Sequence, residues 1–343
     1  MDKAAALHYA GGTFIQMTMG HHEHHEHERE HHLEEVDREA IETFWTQELK
    51  ELPERNRRLA AEHQAEAAER ARRQSRRLTV AATCMDERTA FTEEALGLLP
   101  GEGEVYGSGG ARIDVETFEK LYGRDLKRAA TDGKETEICL VTHKCAGDSH
   151  KGCAAFANDV EKQTEYFGEL QDKLARLYPE TRTSVLMLDS TAYGLERITA
   201  DPRDARLAEI MKKGGGLKGF RAKEEAHAGY GIFIGDAYRA WVPEHNTYFR
   251  LSALNPDVVG NVGIALNVME HHSTVDLSKK PIVLHADYPE YEDRERSAEA
   301  KKAIDAALKA VTELPTVAAK IAAGSLKIVK SATNMETWEG KLL

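Results

Sequence analysis

The chain has 343 residues, a formal net charge of -12, 30% charged residues and 7% aromatics. That length supplies one large domain or two modest ones with a full core, and the acidic balance leaves no basic excess to neutralise phosphates, which excludes nucleic acid as a partner. No apolar run approaches the roughly 18 residues of a membrane span, and nothing resembles a secretory start, so a cytoplasmic protein is expected.

Residues 1–33 end in GHHEHHEHEREHH, expected as a solvated low-complexity arm; adventitious metal binding by its imidazoles is the alternative. Residues 34–77 form a charged helical extension. Pro53 is expected to divide it into two helices, because proline clashes with the preceding turn. Val36, Ile41, Phe44, Trp45 and Leu49 share one face of the first. The second is nearly bare of large apolar residues, which suits a surface or a partner subunit.

From Leu78 the pattern changes to short apolar runs alternating with helices. RLTVAATCMDER, GEVYGSGGARI, TEICLVTH and TSVLMLDST read as strands, and residues 153–178 as one long amphipathic helix. Further on, YGIFIGDAYRAWV and PIVLHADY read as strands and 293–322 as a single alanine-rich helix. Strands alternating with helices predict an α/β fold with a mainly parallel central sheet flanked by helices. Residues 78–343 are expected to form one catalytic domain. No convincing internal repeat is visible, although the strand-then-helix unit from PIVLHADY onward loosely echoes an earlier one.

In a parallel sheet, ligands gather at the carboxyl ends of the strands. Cys84, Asp86 and Arg88 fall just past the first strand, Gly109 and Gly110 past the second, and His143 at the tip of the third. Cys153 sits where the following helix is expected to start, a place where the helix dipole favours a thiolate. Four cysteines (Cys84, Cys139, Cys145 and Cys153) are too few for a disulfide framework and suit metal or thiol chemistry in a reducing compartment. Two thiolates and one imidazole make a three-ligand zinc set with one position open, the catalytic type. His143 is favoured as the imidazole because a rigid strand end delivers it. His150 is the rival, through its H-x-x-C spacing to Cys153. Cys139 is expected to be buried inside its strand, and Cys145 lies in the loop. Asp86, held by an Arg88 fork, would stand beside the open position.

These residues resemble the β-type carbonic anhydrases. The Cys84-Met85-Asp86-Glu87-Arg88 run matches that family's Cys-x-Asp-x-Arg motif, and Gly109 and Gly110 its glycine pair. Members with H-x-x-C spacing would select His150. In the carboxysomal shell branch the ligand histidine lies upstream, equivalent to His143, and the cysteine lies in a segment like HKGCAAFAND (150–159). The resemblance covers about residues 78 to 200. It implies Zn2+ on Cys84, His143 and Cys153, catalytic roles for Asp86 and Arg88, and a substrate pocket at Gly109 and Gly110. The implied reaction is reversible hydration of carbon dioxide to bicarbonate by a zinc-bound hydroxide, in a homo-oligomer, a dimer or higher. His150 is a candidate proton shuttle if it is not a ligand.

Competing readings are a related zinc hydrolase of carbon disulfide or carbonyl sulfide, a component of inorganic-carbon uptake, a cysteine nucleophile at Cys153, and a non-enzymatic metal-binding protein. MKKGGGLKGF (211–220) lacks phosphate-loop spacing, GDSH (147–150) reads as an ordinary loop, and nothing beside His271 and His272 completes a second ligand set.

Overall fold

The computed structural model describes residues 36–72, 76–89, 92–144, 153–189, 195–197, 227–243 and 246–343. The His-rich arm, Cys145, His150, the 147–150 motif and the 211–220 glycine segment lie outside the described residues. Within them the α/β expectation holds, but the strands divide between two five-stranded sheets.

The first sheet contains β1 (Arg77–Cys84), β2 (Gly103–Ser108), β3 (Glu135–Lys144), β4 (Arg182–Asp189) and β5 (Leu195–Arg197), in the order β2-β1-β3-β4-β5. The first four are parallel and β5 is antiparallel. Val80, Ala82, Ile138, Leu140 and Val185 are buried. Near-continuous apolar runs of this kind are what a sheet covered on both faces requires. The second sheet contains β6 (Gly231–Ile234), β7 (Tyr248–Leu251), β8 (Ile282–Glu290), β9 (Leu326–Asn334) and β10 (Gly340–Leu342). Read from β7 its order is β7-β6-β8-β9-β10, again with only the last strand antiparallel.

The two halves therefore share one topology, which corrects the expectation of no repeat. They meet at the edge strands β2 and β7. Ser252 N–H donates to Gly107 O at 3.0 Å, and Arg250 N–H donates to Met85 O at 2.9 Å. A Cβ on Gly107 would lie 2.5 Å from Arg250 O, so only glycine permits this approach. Arg250 also forks onto Glu93, with both oxygens at 2.9 Å, a paired arrangement of the kind buried charge requires.

The extension is one continuous helix, α1 (Arg38–Arg72), with Pro53 inside it. Proline removes one backbone hydrogen bond, but tertiary contacts hold both sides of it. Ile41, Glu48, Leu52, Asn56, Ala60 and His63 are buried at helical spacing. Asn56 Nδ2 donates to Ala240 O and Trp338 O, its Oδ1 accepts from Gly340 N–H, and His63 stacks on Trp338 at 3.9 Å. The sparsely apolar half of α1 thus packs by polar anchors on the chain's own second half.

Other boundaries shift for local reasons. Between β1 and β2 lies the short α2 (Thr92–Ala95), and between β2 and β3 lie α3 (Val115–Phe118) and α4 (Arg124–Thr131), joined by a π turn at Glu119–Gly123. The long helix α5 spans Val160–Leu177, starting at the side-chain cap of Asp159, after a 3-10 turn at Ala154–Phe156 and left-handed Ala157 and Asn158. The apolar run after Ile234 ends its strand at Gly235 and becomes the one-turn helix α6 (Tyr238–Trp241). After β7 comes α7 (Val258–His271), capped by Asp257. The alanine-rich stretch is two helices, α8 (Arg294–Thr312) and α9 (Pro315–Ala323), divided where Pro315 takes the first turn of the second. Among the described residues no helix is long and apolar enough to cross a membrane.

Candidate metal centre

Cys84 ends β1, and β1 pairs with β3 through Thr83 and Val141, which sets His143 two residues further along the neighbouring strand. Gln163, buried in α5, donates to His143 O at 3.1 Å and also to Thr142 Oγ1, pinning the strand end. Thr89 Oγ1 bonds to the carbonyls of Cys84 and Asp86, both at 3.0 Å, and shapes the turn after β1. Cys153 is extended and precedes the 3-10 turn. Helix α5 begins seven residues after it, so the expected helix-dipole contribution to its thiolate does not apply; the Ala155 backbone amide serves instead.

Cys84, His143 and Cys153 come together, all three buried, with ligand atoms within 4.8 Å of one another. The sulfurs are 3.8 Å apart. That is far beyond a disulfide bond of about 2.05 Å, and it is the edge expected for two sulfurs each about 2.3 Å from a tetrahedral zinc. Gly110 N–H donates to Cys84 Sγ at 3.3 Å. Gly110 has φ of 68°, and a Cβ there would lie 2.6 Å from the Ala155 methyl and 3.6 Å from Cys153 Sγ. Their mutual hydrogen bond, then burial, raises the Cys84 thiol well above the ordinary range, while the same bond lowers Cys153. Burial opposes charge on His143, but the neighbouring Cys84 and Asp86 outweigh it and raise its pKa. His143 Nδ1 is buried with no hydrogen-bond partner among the described residues. Two buried thiols beside an imidazole whose Nδ1 has no partner among the described residues are a donor set suited to a divalent cation of zinc type.

Arg88 grips Asp86 with its backbone N–H and Nε on Oδ1, each at 2.9 Å, and with Nη2 on Oδ2 at 2.7 Å. Asp86 Oδ2 lies 3.7 Å from His143 Nε2. Burial works against the carboxylate, yet Arg88 and His143 hold it far below the usual range. Asp86 is thus held by Arg88 through both of its oxygens.

These groups open onto a cavity of about 450 Å³ that Gly109 and Gly110 also line. Part of its lining comes from the second half, including His227, Phe249, Ile264 and Val268. None of those four is evident from the sequence, because they lie about 140 to 180 residues beyond the Cys84–Arg88 motif. Cys139 is buried inside β3, as its strand position predicts. His271 and His272 end α7, and His272 reaches the cavity wall without forming a metal cluster among the described residues.

No family model and no curated protein matches the chain. Two solved structures are similar in part. One is carbonic anhydrase from Streptococcus mutans, 17% identical, with a TM-score of 0.27, covering 36% of this chain and 85% of that one. The other is the apo form of carbon disulfide hydrolase, 16% identical, with a TM-score of 0.26, covering 47% of this chain and 93% of that one. The α/β class rests on the strand order and register of the chain itself.

Proposed function

We propose that the chain is a zinc-dependent carbonic anhydrase, catalysing the reversible hydration of carbon dioxide to bicarbonate. The observation that carries this reading is the buried Cys84, His143 and Cys153 set, beside an Asp86 carboxylate gripped at both oxygens by Arg88. A zinc ion held by Cys84, His143 and Cys153 would acidify water and so supply a nucleophile near neutral pH.

The side chains do the rest. Asp86, held ionised, accepts a hydrogen bond at Oδ2 and has none to give. A nucleophile seated beside it turns its O–H toward the carboxylate and a free lone pair toward the cavity. Arg88 fixes that oxygen in place, so orientation is set before substrate arrives. Met85, Phe249, Ile264 and Val268 offer a wall with few polar groups, matched to a small apolar gas. Gly109 and Gly110 add lining that carries no side chain.

Stopped-flow carbon dioxide hydration by the zinc-loaded chain tests the reading, with carbonyl sulfide and carbon disulfide assayed in parallel. Hydration of carbon dioxide that is lost in Cys84→Ser is the expected result. Turnover of only a sulfur-containing substrate, or of none of the three, contradicts it.

A further inference from the structure

Glu87 is the middle residue of the turn that carries Asp86 and Arg88. The backbone N–H and Nε of Arg88 both donate to Asp86 Oδ1, so the place of that carboxylate depends on the backbone at Glu87. The second half of the chain holds this residue twice. Asn246 N–H donates to Glu87 O at 3.2 Å, and His227 Nδ1 lies 2.7 Å from Glu87 Oε1. A carboxylate only accepts, so Nδ1–H is the donor. His227 is itself tied down, by a backbone bridge to Ser273 and by Thr274 N–H on its carbonyl at 2.8 Å. Gly229 leaves room for the pair, since a Cβ there would lie 3.2 Å from Glu87 Cγ and Cδ.

We propose that Glu87 is a positioning residue, and that its bond to His227 is a latch by which the second half fixes the Asp86–Arg88 pair. The inference rests on the carbonic anhydrase reading above for what that pair does. With Arg250 N–H on Met85 O at 2.9 Å, the second half grips the segment between Cys84 and Arg88 at both of its inner ends. Asp86 lies between those grips. A displacement of about 1 Å in such a group is enough to cost about 10²-fold in rate.

The pairing of Glu87 sets the latch apart from packing. Glu87 is fully buried, and burying a carboxylate costs more than burying an apolar side chain of similar size. The neighbouring carboxylates Asp86 and Glu93 each engage an arginine through both oxygens. Glu87 instead spends its side chain on one imidazole, and its Oε2 has no partner among the described residues. What that bond adds over an apolar contact is a set length and direction.

The test is a double-mutant cycle on the full-length, zinc-loaded chain: Glu87→Ala, Asp86→Asn and the two combined, with Glu87→Gln beside them and urea midpoints for each. The latch predicts that Glu87→Ala lowers kcat/KM by roughly 10- to 100-fold. Glu87→Gln, whose amide oxygen still accepts from Nδ1–H, should recover most of that loss. In the Asp86→Asn background Glu87→Ala should cost nothing further. Should Glu87→Ala unfold, His227→Ala takes its place in the cycle. A second readout needs neither zinc nor turnover: the Arg88 Nε–H signal in 15N spectra, identified by its absence from Arg88→Lys. It should shift alike in Glu87→Ala and His227→Ala and stay near wild type in Glu87→Gln. Equal losses from Glu87→Ala with and without Asp86, or an Arg88 signal unmoved in both variants, overturns the latch and leaves the carbonic anhydrase reading intact. If the loaded wild type hydrates no carbon dioxide, that reading fails, and the Arg88 signal alone decides the latch.

Discussion

At the scale of single residues, charge pairing separates the proposed ligands from the proposed helper. Cys84 and Cys153 lie a tetrahedral edge apart, whereas Asp86 is consumed by Arg88. Removing the guanidinium should therefore do two things. Arg88→Ala strands an ionised carboxylate in the interior, a loss of about 3–5 kcal/mol, which urea denaturation would read. It also frees Asp86 to close the fourth position, so activity should vanish while zinc remains. Asp86→Asn should keep zinc and lower kcat/KM by roughly 10²- to 10⁴-fold, measured by stopped flow. A variant with full activity would remove Asp86 from the mechanism.

At the scale of elements, two features have testable consequences for stability. The first is the close approach of the glycine turn to α7, where a Cβ on Gly109 would lie 2.3 Å from Asn261 Oδ1. Gly109→Ala should cost about 1–3 kcal/mol in thermal or urea unfolding, because Asn261 is buried and has little room to retreat. The second is a polar network inside the second sheet. Asp287 Oδ1 accepts from Ser331 and Thr333 hydroxyls, each at 2.6 Å, and Trp241 Nε1 donates to Thr333. Burial pushes the Asp287 carboxyl up to about 6, with the two hydroxyls pulling the other way. Its folded-state pKa lies above the ordinary 3.8, so the folded state keeps a proton that the unfolded chain has already lost. Stability from this group is full below that ordinary value, falls as pH rises through the window up to about 6, and stays lower above it. Asp287→Asn removes the effect. The variant should gain up to about 3 kcal/mol on wild type between acid and neutral pH, measured by urea unfolding at both.

At the scale of the whole molecule, one half was legible in sequence and the other was not. β1 and β3 each end an apolar run in a metal-type residue, so Cys84 and His143 could be placed on one sheet edge from pattern alone. The second half offers no such mark. β6 and β7 are four residues each, and their ends carry Gly235 and Ser252 instead of ligands. The repeat therefore shows only in strand order. Pro53 misled because backbone propensity competes with Asn56 and His63, whose anchors lie more than 180 residues away. The long helix was expected too early because GCAAFAND has helical composition, while left-handed Ala157 and Asn158 break it before the Asp159 cap. Glu87 was visible inside the motif, but its partner His227 is 140 residues distant.

The central claim is that one zinc is held by two sulfurs and one imidazole with its fourth position left to solvent. X-ray absorption at the zinc edge, on protein lacking residues 1–33, addresses it directly. Two sulfur scatterers at about 2.3 Å and two nitrogen or oxygen scatterers at about 2.0–2.1 Å, reduced to stray signal in Cys84→Ser, are the predicted result. A sulfur-free shell, or a zinc signal that survives Cys84→Ser unchanged, would contradict it.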